Sequence, residues 1–183
     1  MKKSILVFVM IVGLTLTFNL SLPAQEEKVA NKLFYAELGG PGLIMSANFD
    51  SRMKSDERLG FGFRLGLGFA YGDFEEKRPN QRGYYDYVTK TYYSIPAGLN
   101  YVFGKPNNNH TFEVGAGVTF LTRKVSLFCY DIEEEGRMIS FFTFMYRLMP
   151  VNGGFSFRVG LTPMIGTAGD LFPMIAIGFG YVF

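Results

Sequence analysis

Large apolar residues alternate with small ones along much of this chain, and the cleanest case is Leu59 to Tyr71. Its odd positions are Leu59, Phe61, Phe63, Leu65, Leu67, Phe69 and Tyr71; its even positions are Gly60, Gly62, Arg64, Gly66, Gly68 and Ala70. Strict alternation over this length predicts a β-strand with two chemically different faces. At about 3.3 Å per residue such a strand, when tilted, crosses an apolar layer roughly 25 Å tall, and it exceeds the usual soluble strand of about five or six residues.

Volume and charge decide which face points where. A barrel of about eight strands has an interior that side chains just fill, so it cannot take Phe and Leu in several layers from every strand. The bulky face must point outward. An exterior of that kind in water would be a contiguous apolar patch far beyond a few hundred Å², which marks an interface or a membrane. Arg64 agrees, because an Arg facing lipid near the midplane costs about 2–4 kcal/mol, whereas on the glycine side it faces the interior.

Seven further segments repeat the pattern. Leu33–Leu38 sets Phe34, Ala36 and Leu38 against Tyr35 and Glu37, and the turn Gly39–Gly42 leads to Leu43–Ser51, with Leu43, Met45, Ala47 and Phe49 outward. Beyond the Leu59–Tyr71 strand come Tyr92–Phe103, in which Pro96 is expected to mark a bulge because it cannot donate to a ladder, and Thr111–Thr122. Met138–Leu148 is bulky in both registers; Phe142, Phe144, Tyr146 and Leu148 are placed outward so that Arg147 avoids lipid. Phe155–Met164 and Met174–Phe183 complete the set. The predicted fold class is all-β, an eight-stranded antiparallel up-and-down transmembrane barrel.

Connection lengths support the same topology. Arg52–Arg58, Gly104–His110 and Met149–Gly154 are short, while residues 72–91 and 123–137 are long and charged. An even strand number with short turns on one side and longer loops on the other is the habit of bacterial outer-membrane barrels, whose long loops are external. The short first connection is the exception.

The first residues carry Lys2 and Lys3, an apolar run from Ile5 to about Leu20, then Pro23 to Glu27. This reads as a cleaved secretory signal peptide, residues 1–25, ahead of a barrel domain over 26–183. The polar stretch from Glu26 to Lys32 is expected to be disordered or to cover the barrel mouth. The composition, with 20 Phe, 11 Tyr, 22 Gly and no Trp, suits strands with one greasy and one bare face. A net charge of +2 without a basic, aromatic-rich run gives no nucleic-acid surface.

With these features in place, the leader, the alternating segments and the ending IAIGFGYVF resemble the small eight-stranded outer-membrane β-barrels of the OmpA and OmpX type. The resemblance covers essentially the whole mature chain and is architectural. It implies outer-membrane lipid as surroundings and the barrel-assembly machinery as a partner during biogenesis, with Phe179, Tyr181 and Phe183 resembling the terminal aromatic assembly signal.

Candidate chemistry is sparse. The ionisable residues inside strand segments are Glu37, Asp50, Arg64, Glu113, Arg147 and Arg158, all on the inward face, where unpaired charges are costly. Glu37 and Glu113 are expected to meet Arg64 and Arg158 in a salt-bridge plug. One His and one Cys cannot build a His-rich or thiolate metal site, and no cofactor is expected. His110, in a turn beside Asn residues and without a serine next to it, is expected to be solvated rather than catalytic; the chain is read as no enzyme. Tyr84, Tyr85 and Tyr87 in one long loop, and Asp131, Glu133, Glu134 and Glu135 in the other, are candidate contacts with an external protein or an envelope-complex partner. The reading is a structural or interaction barrel with a plugged lumen. Its alternatives are a narrow channel, an accessory subunit of an envelope complex and a lipid-modifying enzyme.

Overall fold

The computed structural model describes residues 29–77, 85–125, 136–166, 169 and 171–183, with side chains for all of these except 72–77, 85–90 and 124–125. The strands are β1 (Lys32–Gly39), β2 (Met45–Arg52), β3 (Gly60–Lys77), β4 (Tyr85–Gly104), β5 (His110–Val125), β6 (Gly136–Leu148), β7 (Gly154–Ile165) and β8 (Leu171–Val182). Each pairs antiparallel with the next, and β1 pairs with β8 from Leu33↔Val182 to Gly39↔Ala176, which closes the barrel. A closed sheet has no free edge to satisfy.

The period-two pattern sets the walls as the volume argument requires. In β3, Phe61, Phe63, Leu65, Leu67, Phe69 and Tyr71 are exposed on the outside, and Gly62, Arg64, Gly66, Gly68 and Ala70 are buried within. In β6 the register that keeps Arg147 inside is the one adopted, with Phe142 and Phe144 outward. Inward glycines leave room for long side chains from neighbouring strands. A Cβ on Gly178 would lie 2.7 Å from Arg158 Cγ, and one on Gly180 would lie 2.5 Å from Tyr35 Cβ.

Three expectations are corrected. Pro96 makes no bulge: the β3–β4 ladder omits Gly66–Leu67 against Ile95–Pro96 and resumes in the same register, and Pro96 pairs with Thr119 on the other side. One missing N–H breaks a rung without inserting a residue. Residues 72–91 are not simply a loop, because β3 and β4 stay paired from Gly72↔Lys90 to Lys77↔Tyr85. The run Tyr87-Val88-Thr89 has the β-branched and aromatic content of a strand, and its charged surroundings hid this. Likewise β5 reaches Val125 and β6 starts at Gly136, after an irregularity beyond Phe120.

The short first connection folds inward. Gly40–Gly42 forms a single 3-10 turn, buried throughout, that touches β3, β4, β5, β7 and β8 as well as β1. Gly39 makes the entry at φ 71°, where a Cβ would run into the Ile175 carbonyl oxygen. Leu43 makes the exit at φ 75°, a positive value rare for a Leu; it precedes β2 and turns its side chain into the interior, not outward as the alternation places it.

Candidate functional site

The lumen is packed in layers. At the rim that holds the chain ends, Ala30, Leu33, Tyr35, Met149 and Val182 form an apolar cluster. At the opposite rim, Leu43, Ala70, Tyr92, Leu121, Ile139, Phe141 and Met164 form a second one, with Phe172 and Met174 against it. The alternation puts glycines, polar groups and ions inside with a few small apolar residues such as Ala70 and Val182; the structure adds the larger side chains that build these two apolar lids. The signal for the second lay in β6, whose inward register carries Ile139, Phe141 and Met145.

Between the lids the charges form one alternating chain. Arg64 Nη2 donates to Glu37 Oε2 at 2.7 Å, and Arg158 Nε lies 3.5 Å from Glu37 Oε1. Arg158 Nη2 donates to Glu113 Oε1 at 3.1 Å, and Arg147 Nη1 to Glu113 Oε2 at 2.8 Å. Arg147 Nη2 continues to Asp50 Oδ1 at 3.3 Å, and Asp50 accepts from Arg52. None of these seven residues is more than 4 % exposed. The planar forks of arginine suit this sharing, since each presents several donors at fixed angles to more than one carboxylate.

Neutral groups complete the layer. Asn100 Nδ2 donates to Asp50, Arg52 Nη2 donates to Asn100 Oδ1 at 2.7 Å, and Thr143 Oγ1 donates to Glu113 Oε1 at 3.3 Å. Above Glu37 lies the inward turn, whose carbonyls accept from Thr119 Oγ1 (to Pro41, 2.8 Å) and Ser94 Oγ (to Gly42, 3.0 Å). A Cβ on Gly40 would lie 3.3 Å from Glu37 Oε2, which shows how closely turn and ions approach.

Glu37, Arg64, Glu113 and Arg158 therefore meet in one network, and Asp50 and Arg147, inward in the same pattern, join it. Arg52 falls in the predicted Arg52–Arg58 connection, yet it closes the series as the last residue of β2. Its signal was the parity of Ser46, Asn48 and Asp50. Arg58, also assigned to that turn, folds under the chain-end rim. It donates to the carbonyls of Met149 and Asn108, and to that of Pro106 at 3.0 Å. One guanidinium thus ties three turns together, and desolvation lowers its pKa from the ordinary value. Asn31 Nδ2 donates to Ser55 and Lys54 carbonyls at 2.8 and 3.2 Å, so the end of the polar lead-in covers this rim.

His110 is the first residue of β5 rather than a turn residue. It is exposed on the outer wall, and its Nδ1 lies 2.5 Å from the Tyr146 hydroxyl. Phe112 packs edge-on against the same Tyr146 ring. Phe179, Tyr181 and Phe183 are exposed on the outer wall at β8, with Phe179 against Phe157, and Phe183 exchanges backbone hydrogen bonds with Lys32 at 2.9 and 3.1 Å. Among the described residues no three His, Cys, Asp or Glu side chains converge where a metal ion would be held. The leader, Tyr84, Cys129, Asp131, Glu133, Glu134 and Glu135 lie outside the described residues, as do the side chains of Tyr85 and Tyr87.

No family model and no curated protein matches the chain. Among solved structures, the N-terminal β-barrel domain of Pseudomonas aeruginosa OprF is similar, with a TM-score of 0.48 and 12% identity. The match covers 86% of this chain and 98% of that domain.

Proposed function

We propose that this protein is an integral outer-membrane β-barrel with a sealed lumen, exported by its leader and acting as a structural or interaction protein through its external connections. The observation that carries this reading is the inversion of polarity across the wall. Phe61, Leu67, Tyr93 and Ile175 are 62–68 % exposed on the outside, while four arginines and three carboxylates are buried within. Hydrocarbon surroundings make that arrangement stable, and water would not.

The seal has three parts in series: the chain-end lid, the ion layer, and the inward turn beneath the second lid. Any one of them removes a continuous water path. Hence the role left to the barrel is at its rims, where the connections spanning 72–91 and 123–137 carry Tyr and acidic side chains suited to a protein partner. The terminal Phe183 is read as the signal to the assembly machinery.

Two measurements test this. Envelope fractionation followed by gels of heated and unheated samples is expected to place the mature chain in the outer membrane with a folded, faster-migrating form. Planar bilayers loaded with purified barrel are expected to show no single-channel steps. Recovery as a soluble monomer without detergent, or robust conductance, rules against the reading. Deleting residues 75–88 is expected to leave the barrel folded while abolishing capture of an envelope or external partner by cross-linking.

A further inference from the structure

The ion chain is unbalanced, and the imbalance has a location. It runs Arg64, Glu37, Arg158, Glu113, Arg147, Asp50, Arg52, so every carboxylate is shared by two arginines and an arginine stands at each end. Four cations against three anions leave one positive charge, buried from water.

The two ends differ. At the Arg52 end, Nη1 donates to the Gly60 carbonyl at 2.9 Å and Nη2 to Asn100 Oδ1 at 2.7 Å, in addition to Asp50. At the Arg64 end, Nη2 donates to Glu37 at 2.7 Å and to Asn48 Oδ1 at 3.3 Å; Nε finds no acceptor among the described residues, as at Arg52, but here Nη1 finds none either. Arg158 likewise leaves Nη1 without an acceptor, and the Tyr35 hydroxyl and Glu37 Oε1 have no hydrogen-bond partner among the described residues either.

These donors share one neighbourhood. Arg64 and Arg158 both reach the Glu37 carboxylate, and both lie against the Tyr35 ring, with Cζ 5.7 and 4.4 Å from its centroid. Phe141 covers Arg64 from another side at 5.6 Å. The aromatic faces favour the cations but accept no strong hydrogen bond. Buried charged donors left without acceptors are costly.

We propose that the Arg64–Arg158 end of the network binds one small monovalent inorganic anion of halide type. Its single negative charge cancels the surplus, and its lack of directionality suits two guanidiniums that β3 and β7 bring to one carboxylate and one ring. A divalent oxyanion would overshoot the charge. Water can accept from the guanidiniums, but it leaves the charge uncompensated. The ion is enclosed when the barrel forms, so it acts as part of the filling.

The test uses bromide as the probe. The mature chain is folded into detergent and crystallised from millimolar sodium bromide, and anomalous differences are measured at the bromine edge. The expected result is a peak within hydrogen-bonding distance of Arg64 Nη1 and Arg158 Nη1. Its absence from that position, or its appearance only at high bromide as an adventitious ion only, overturns the proposal. In solution, the unfolding midpoint is expected to rise saturably as bromide replaces gluconate at constant ionic strength. The response is lost in Arg64→Gln, which removes the surplus charge; should that variant not fold, Arg64→Met serves. A midpoint indifferent to the anion in the unmodified chain also overturns it.

Discussion

Arg147 and Arg158 stand directly opposite each other across the β6–β7 ladder, both inside the barrel, and Glu113 binds the two guanidiniums through its two oxygens at 2.8 and 3.1 Å. Like charges in facing positions destabilise a sheet, so this rung depends on a carboxylate from β5. Glu113→Gln keeps the shape and removes the charge. Breaking a buried pair from one side costs about 3–5 kcal/mol, and the variant is expected to unfold at markedly lower urea in lipid vesicles, read by gel migration. Adding Arg147→Met to Glu113→Gln is expected to return part of that loss.

The β8 glycines are room for other strands rather than weak points. Gly178→Val raises β-propensity, but its Cβ would sit 2.7 Å from Arg158 Cγ. The variant is expected to fold in much lower yield, while Ala36→Val, whose side chain points outward, folds as the parent does. Folded fraction on unheated gels decides between them.

Leu65 lies midway along the outward row of β3 and is 52 % exposed. If this wall contacts hydrocarbon, Leu65→Arg costs about 2–4 kcal/mol in folding free energy measured in bilayers. An unchanged or improved stability would mean that the wall faces water.

Much of this was legible from alternation alone. Strand number, inward and outward faces except at Leu43, and the membership of Glu37, Asp50, Arg64, Glu113, Arg147 and Arg158 in the lumen all follow from a period of two. What the pattern hid has physical causes. Arg52 and Arg58 sit where the strand gives way to the turn, and a long side chain there folds back into a lumen that sequence position does not reveal. The β3–β4 extension beyond Gly72 lacks the apolar row because ladder bonds hold a ribbon without one. The inward turn at Gly40–Gly42 was read as an ordinary hairpin connection, since Gly-Gly-Pro-Gly specifies bending but not the direction of the bend.

Arg58 offers a separable test of the chain-end rim. Its fork reaches carbonyls on two other turns, of Pro106 and Asn108 on one and of Met149 on the other. A lysine ammonium is a point donor and cannot span them. Arg58→Lys is therefore expected to lose stability comparable to Arg58→Ala, on the order of 1–3 kcal/mol for charged hydrogen bonds, with the ion layer intact. Faster amide exchange confined to residues 105–109 and 149–153 would identify the lost tie.

The turn at Gly40–Gly42 also makes one short connection depend on nearly the whole wall. It rests on strands as distant in sequence as β7 and β8, so its seat does not exist until nearly the whole wall has been laid down. It joins β1 to β2, and its contacts with β7 and β8 exist only where those strands stand near β1. A chain lacking its last strand would therefore lack part of the seat on which this turn rests.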